Sequence, residues 1–511
     1  MAAWSDGYVT DVQYTDKFYA ELAPGYLAFA CLRQGVRPPS LEAGSTYLEL
    51  GCGQGFGLNL LAAANPGMDF WGVDFHPGQI DNARRLARTA GLTNIVFEDY
   101  SFEQMLGLPA AALPKFDVIA LHGVYSWVSS ENRAVIVQLL DRLLKPGGMV
   151  YVSYNCLPGW AALAPLQRFV AEFVDRAPGP PRIEILNAFR TAQQMLQSDG
   201  GFFGSVPLMG PRIAETLKQD PVYLIHEYLN DHSRPHYHAD VAREMEGARL
   251  SFAASANVAD DMPHLAAPAA LQPMIQAAGD PVWRETLLDY AGNKPFRRDV
   301  FVRGRNAPGR PEREAMLDDT RFTLLVAPEA ATFEIPVPIG QLKGQPAIYQ
   351  PIVDALAEGP LTYGDLRNRP ALLGAREGAV LQALILLVNS RQVHPVMRQG
   401  VTDASAPRFN RAVADRARFG EVSSYIAAPL AGTAVRVDLA DLLALGAALR
   451  GVDDVAQAAR EGWEVMAATG RRLLKDGRTL DDQAGNEAEL AARVATFNRT
   501  KLPMLRALGA V

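Results

Sequence analysis

A chain of 511 residues is too long for one ordinary hydrophobic core, so several domains are expected. Its 49% hydrophobic and 21% charged residues are those of a globular protein, and no run approaches the roughly 18 apolar residues a membrane helix needs. The formal net charge of −7 argues against a large nucleic-acid footprint. Cys31, Cys52 and Cys156 are too few for a disulfide framework and lack a CxxC spacing, which points to reduced thiols in a cytoplasmic protein. Met1 to Gln13 has no basic flank followed by an apolar run, so a signal peptide is not expected there.

In chain order, Lys17 to Gly35 carries helix-spaced apolar residues (Leu22, Tyr26, Phe29 and Cys31-Leu32) until Val36-Arg37-Pro38-Pro39 stops it, giving a helical extension over 1–44. Strands and helices then alternate. Strands are expected at Thr46 to Leu50, Phe70 to Asp74, Ile95 to Asp99, Phe116 to Leu121 and Met149 to Ser153. Helices are expected at Leu58 to Asn65, Pro77 to Ala90 and Glu131 to Leu144. Short apolar strands separated by helices of about ten residues mean a parallel sheet covered on both faces, an α/β Rossmann-like domain over 45–178.

After Pro178-Gly179-Pro180-Pro181 the pattern changes to a mixed middle domain over 179–304. It has a helix from Ile183 to Ser198, a glycine-rich loop from Gly200 to Gly210 and a last strand from Arg298 to Arg303. Gly304 to Pro311 reads as a linker. Two strand-like runs lie around Pro328, and Tyr349 to Met397 follows in the order helix, helix, helix, strand, a winged-helix-like domain over 312–400. Its third helix, Glu377 to Asn389, is almost entirely apolar, unlike a DNA-reading helix. The Ala- and Leu-rich region 401–511 is helical, and its apolar helix faces suggest a homodimer.

The chemistry concentrates in Tyr47-Leu48-Glu49-Leu50-Gly51-Cys52-Gly53-Gln54-Gly55-Phe56-Gly57, a glycine loop between a strand and a helix. The dinucleotide spacing fails, because its last glycine falls on Phe56 or Leu58. Glu49, at the end of the first strand, would repel a pyrophosphate but can orient the loop and an ammonium group. Asp74 ends the next strand with Phe75 beside it, about twenty residues on, where an acid can take two ribose hydroxyls. Together these residues point to S-adenosylmethionine rather than a nucleotide. Asp74 also has a plain reading as a cap for the helix that begins at Pro77.

With Gly72-Val73-Asp74, Leu144-Lys145-Pro146-Gly147-Gly148 and Asn155-Cys156-Leu157-Pro158-Gly159-Trp160, the loop resembles class I methyltransferases. The narrower resemblance is to the bacterial subfamily with a methyltransferase regulatory domain, which includes rickettsial lysine methyltransferases acting on outer-membrane proteins. His226-Glu227-Tyr228-Leu229 and Phe296 to Gly304 resemble its middle domain. The resemblance implies S-adenosylmethionine held by Glu49, Gly51, Cys52, Gly53, Gly55, Asp74 and Phe75, and a homodimer. It also implies adenine contacts after the third strand, where Ser101 and Phe102 stand in place of the acid often found there.

Ligands of an open parallel sheet lie beyond the carboxyl ends of its strands. The segments His122 to Trp127 and Tyr154 to Trp160 are therefore expected to face the transferred methyl. His122 could act as a general base or simply line the cofactor, and Tyr125 and Trp127 could enclose an acceptor or pack under the next helix. Tyr154 and Asn155 complete the expected catalytic group, Asn155 through its side-chain carbonyl. A lysine acceptor must lose a proton, which a desolvated aromatic slot promotes. His226, His232, His236 and His238, with Glu227 and Asp231, lack the HExxH order and read as structural or gating residues, so no metal is expected.

The expected activity is S-adenosylmethionine-dependent methyl transfer to protein lysine. The alternatives are a small-molecule, lipid or glycan acceptor, or a cofactor-binding regulator without turnover.

Overall fold

A strand with both faces covered must be apolar throughout, and β1 (Thr46–Leu50) is buried at every position. The structure is a computed structural model that describes residues 17–198, 201–376, 378–396 and 403–511. Met1 to Gln13, Gly200, Glu377 and Met397 lie outside the described residues. β2 (Asp69–Val73), β3 (Ile95–Glu98), β4 (Phe116–Leu121) and β5 (Leu144–Asn155) join β1 in parallel. The linking helices are α2 (Phe56–Ala64), α3 (Pro77–Ala90), α4 (Phe102–Gly107) and α5 (Ser130–Leu143), with α1 (Pro24–Arg33) preceding β1. α4 is the one helix of this set that apolar periodicity missed, because it is short and starts on a Ser101 capping box. Lys145 to Gly148 is skipped in the pairing of β5 with β4, so the expected turn survives as a bulge inside a longer strand.

The sheet continues past 178. The next helices are α6 (Ala164–Arg176), α7 (Pro181–Gln197), α8 (Gly201–Ser205), α9 (Met209–Thr216), α10 (Pro221–Tyr228) and α11 (His238–Glu246). Then come β6 (Leu250–Ser255), α12 (Pro263–Ala266), α13 (Gln272–Ala277), α14 (Pro281–Gly292) and β7 (Phe296–Arg303). β7 lies antiparallel between β5 and β6, and among the described residues the sheet order is β3-β2-β1-β4-β5-β7-β6. The boundary drawn at 178 therefore cuts through the Rossmann-like sheet, whose last two strands come from the middle region. α6 to α10 form a cap with its own core around Val170, Phe189, Met209, Ile213 and Tyr228. The glycine-rich loop expected up to Gly210 is instead largely helical, because Phe203 and Met209 are drawn into that core.

α15 (Arg310–Asp319) replaces the end of the expected linker. It is followed by β8 (Arg321–Leu324), the hairpin β9 (Glu334–Val337) and β10 (Gly340–Lys343), and α16 (Pro346–Ala357). β11 (Leu361–Thr362), α17 (Tyr363–Arg367), α18 (Ala379–Asn389) and β12 (Val393–Val396) complete this region, whose small sheet has the order β11-β8-β12. The last part holds α19 (Ser405–Ala417), the hairpin β13 (Tyr425–Ala428) and β14 (Thr433–Arg436), α20 (Leu439–Leu449) and α21 (Val455–Ala468). The hairpin β15 (Leu474–Lys475) and β16 (Arg478–Thr479) and the long α22 (Gln483–Ala507) end the chain. No helix among the described residues is long and apolar enough to cross a membrane.

These regions do not hang from the sheet as separate bodies. α1 is buried on nearly all sides, as an all-round apolar helix must be. Phe29 meets Phe322 of β8 edge-on at 5.4 Å, and Arg33 donates to the Val258 carbonyl. α19 packs on α2 and α3, with Phe409 5.9 Å from Phe56 and Arg408 donating to the carbonyls of Ala90 and Gly91. The C-terminal region thus braces the helix that follows the glycine loop.

β7 is fixed by charge as well as by pairing. Arg297, fully buried, binds Glu285 at 2.8 Å, Asp289 at 2.5 Å and Asp299 at 2.9 Å. Tyr154 donates to Asp299 at 2.5 Å, and His238 Nδ1 stands 2.9 Å from the same oxygen. Burial alone would raise the Asp299 carboxyl, but Arg297 and these donors hold it below the usual carboxylate range. Arg297→Ala strands three buried carboxylates, so it should cost about 3–5 kcal/mol of stability in urea unfolding. A loss below about 1 kcal/mol would show that water or rearrangement takes over the arginine's role.

Candidate functional site

The order of the sheet reverses between β1 and β4, and the main cleft opens there, beyond the carboxyl ends of the strands. The chain must turn sharply from β1 into α2 against the next loop. Gly51 has φ +74°, and a Cβ on it would lie 2.5 Å from Val124 Cγ2. Gly55 has φ +65°, and a Cβ there would lie 2.5 Å from the Ala83 Cβ. Gly51 and Cys52 donate their N–H groups to the Val73 carbonyl, which ties the loop to the end of β2.

Asp74 holds the loop from the other side. One carboxylate oxygen accepts from the Gly53 N–H at 2.9 Å, the other from the His76 N–H at 3.0 Å. The helix-capping alternative thus falls to His76, whose Nδ1 accepts from Gly78 and Gln79 at the start of α3. Glu49, in register with Gly72 on β2, ends one strand as Asp74 follows the next. Burial, then the nearby Asp74, pushes the Glu49 carboxyl up to about 8. Burial also raises Asp74 against the pull of its two N–H donors. Besides Lys17, these two acids are the Asp, Glu, Lys or Arg side chains lining the cleft, an acidic excess that a cation can balance.

All ten residues expected at the cofactor line this one cleft: Glu49, Gly51, Cys52, Gly53, Gly55, Asp74, Phe75, Ser101, Phe102 and His122. The Ser101 hydroxyl also accepts from the Gln104 N–H as the cap of α4. Sequence reasoning missed Lys17, Tyr19, Gln79, Tyr100 and Asn132. Tyr100 adjoins an identified strand end and was within reach of the strand-end rule. Tyr19 and Lys17 come from a segment whose periodicity reads only as helix.

A second chamber adjoins the cleft and shares Tyr19, His122, Gly123 and Trp127 with it as lining. Its walls include Asn155 and Trp160 after β5, Arg212 and Tyr223 with Glu227 from the cap, and Phe296 and Arg298 from β7. Trp127 and Asn155 are thus placed as expected, and a side-chain nitrogen of Asn155 is buried without a hydrogen-bond partner. His122 forms the wall between the two spaces. Its Nδ1 lies 2.8 Å from the Tyr151 hydroxyl, and the Tyr19 ring centre is 3.6 Å from its own. Burial pulls its pKa down to about 3, so the ring is neutral near pH 7 and a poor proton acceptor. Of the two roles left open for His122, this favours lining the site.

Tyr125 and Tyr154 do not reach either space. Side chains alternate along β5, so Asn155 facing the chamber sends Tyr154 through the sheet to Asp299 and the opposite core. Tyr125 is fully buried in the same core and donates to Glu244. The middle-region histidines also disperse. His238 joins the Arg297 cluster, and the backbone of His236 pairs with β5 through Asn155 and Leu157. Among the described residues no group of three His, Cys, Asp or Glu side chains is arranged to hold a metal.

Residues 41–202 match the family described as "Methyltransferase domain", and 220–303 match "Predicted methyltransferase regulatory domain". An uncharacterized protein of Synechocystis sp. is 36% identical over 99% of both chains. An uncharacterized protein of Rickettsia prowazekii is 28% identical, covering 57% of this chain and 52% of its own. The structure of PKMT2 from Rickettsia typhi in complex with AdoHcy has a TM-score of 0.71 at 21% identity, covering 97% of this chain and 99% of that one. The fold is therefore shared along nearly the whole chain. The regulatory-domain match contains both β6 and β7, so that region supplies two strands of the sheet.

Tyr154→Phe removes a donor from the buried Asp299 and should cost about 1–3 kcal/mol in denaturant unfolding. Asn155→Ala, at a cavity wall, should stay within about 0.5 kcal/mol of the parent protein. The reverse ranking would place Tyr154 in the chamber and Asn155 in the core.

Proposed function

As the chain belongs to the class I methyltransferases that carry a methyltransferase regulatory domain, we propose that it transfers the methyl group of S-adenosylmethionine to a protein lysine side chain. The observation that carries this reading is a pair of buried carboxylates, Glu49 and Asp74, in a cleft continuous with an aromatic chamber. A cationic ligand favours the ionised form of both, whereas a pyrophosphate would oppose it. Glu49 and the loop from Gly51 to Gly55 hold the methionine end, and Asp74 the ribose. Phe75, Ser101 and Phe102 stand at the adenine. Bound there, the cofactor supplies an electrophilic methyl group on a cationic sulfur.

The remaining work falls to the chain's own residues. Tyr19, His122 and Trp127 separate the two spaces and exclude water at the point of transfer. The chamber receives an amine between Trp127, Trp160, Tyr223 and Phe296, with Asn155, Asn293 and Glu227 as acceptors and Arg212 and Arg298 as the cations beside them. Desolvation lowers the pKa of an ammonium, so the slot itself promotes the neutral, nucleophilic amine without a dedicated base. Alignment of the amine against the carbon–sulfur bond supplies much of the rate.

The same reading retains a homodimer, a winged-helix-like region and a cytoplasmic location. The dimer is supported by exposed apolar residues such as Leu373, Phe419 and Leu474 in the C-terminal half. The helix–strand–helix–helix–strand order from α16 to β12 supports the winged-helix likeness.

Glu49 gives the cofactor site a pH dependence. In the free protein its carboxyl is protonated below about 8, and a bound cation lowers that pKa, so binding releases a proton. Affinity for S-adenosylmethionine should therefore rise as pH increases from about 6 to about 8, and calorimetry in buffers of different ionisation enthalpy should detect the released proton. Glu49→Gln should flatten the profile; a slope that persists in this variant would place the titrating group elsewhere.

The acceptor is tested by incubating the protein and labelled S-adenosylmethionine with fractions of a bacterial lysate. Label in lysine of a protein fraction is expected. Label confined to small molecules would assign a metabolite acceptor, and binding with no transfer would leave a cofactor-binding regulator.

A further inference from the structure

Lys17 lines the cofactor cleft and reaches, through its ammonium, a wall of the neighbouring chamber. Its main chain is pinned. The carbonyl of Lys17 faces Gly57 closely enough that a Cβ there would approach within 3.4 Å. Phe18 is buried and packs 5.3 Å from Tyr425, and the Tyr19 ring lies tilted against His122. The side chain borders the cofactor cleft together with Gly51 to Gly57, and from there its ammonium reaches the Tyr223 ring at 3.9 Å. Tyr223 is a wall of the acceptor chamber, and Glu227 lies one helical turn further along α10 in the same wall. One lysine therefore spans from the cofactor cleft to the chamber, with its nitrogen over an aromatic face, the setting that suits a cationic amine.

We propose that Lys17 is a methyl acceptor in its own right, and that the protein methylates this residue intramolecularly. The inference rests on the reading of the chain as an amine methyltransferase. The Nζ lone pair forms the new N–C bond as the methyl carbon's bond to sulfur breaks, and the bonding pair stays on sulfur to give S-adenosylhomocysteine. The amine must first shed one proton, which Glu227 takes up before passing it to solvent. Two features favour that transfer. Burial lowers the pKa of the Lys17 ammonium against the pull of Glu227 and Asp220, and burial raises the carboxyl of Glu227. Methylation would also leave a bulkier cation on the Tyr223 face, where aromatic rings hold methylated ammonium groups well.

The test is peptide mass spectrometry of the full-length protein before and after incubation with S-adenosylmethionine, run beside the Lys17→Arg variant and beside the labelled lysate assay. The expected result is a gain of one to three methyl groups on the Lys17 peptide, absent in the variant. Its rate per molecule should not change with protein concentration. A rate that rises with concentration would overturn the intramolecular step. An unmodified Lys17 peptide in a preparation that labels lysate protein would remove this inference and leave the methyltransferase reading intact. No label in any amine would remove both.

A readout without the methyl donor is available in trace acetylation. The rate of Lys17 acetylation should reach its plateau at a lower pH than that of a free lysine side chain, because burial favours its neutral form. A profile that rises at the free-lysine pH or above would contradict the amine environment on which the proposal depends.

Discussion

Arg297 and Arg298 are neighbours on β7, so they leave the sheet on opposite faces, and the rest of the molecule is organised around that divergence. Arg297 enters a dry cluster with Glu285, Asp289 and Asp299 and locks α14, α11 and β5 to one another. Arg298 emerges on the chamber side and binds the buried Glu21 at 2.6 Å. Burial would raise the Glu21 carboxyl, yet the guanidinium of Arg298, with that of Arg391, holds it below its usual range. Through Glu21 the strand fixes the segment Lys17 to Leu22 over the cleft. One antiparallel strand from the middle region thus extends the sheet, supports one wall of the chamber and positions the N-terminal segment.

The two spaces differ in what they ask of a ligand. The cleft under the glycine loop carries two acids in low dielectric and is completed by a positive charge. The chamber combines aromatic walls with two amides, Asn155 and Asn293, two arginines, Arg212 and Arg298, and one raised carboxyl, Glu227, so its charge is mixed. His122 and Tyr19, their ring centres 3.6 Å apart, line both spaces, and burial keeps the His122 ring neutral. Long additional regions serve this arrangement directly. The cap provides Arg212, Tyr223 and Glu227, and α19 supports α2 behind the loop.

The first five strands and the cofactor loop were legible in the sequence because both are local. Burial on two faces makes a parallel strand apolar throughout, and a tight turn against Val124 or Ala83 admits only glycine. The acids at the ends of β1 and β2 follow from the same rule, since a ligand beyond a parallel sheet meets the strand ends. The last two strands were not assigned to that sheet. Antiparallel pairing between β5 and β7 joins segments separated by the whole cap, and no local pattern records which edge a distant strand will find.

The sequence by itself determined the Rossmann-like sheet core, the cofactor loop and the charge of the cleft, because spacing and residue type act over a few neighbouring positions. Tertiary structure alone decided which aromatic residues line the cleft and the chamber. Strand alternation divides Tyr154 from Asn155, and the demand of a buried Asp299 for donors draws Tyr154 inward. It also decided that Lys17 and Tyr19 belong to the site. Their place depends on a contact between the start of the chain, the cap and β7, and contacts between distant segments leave no periodic trace in any one of them.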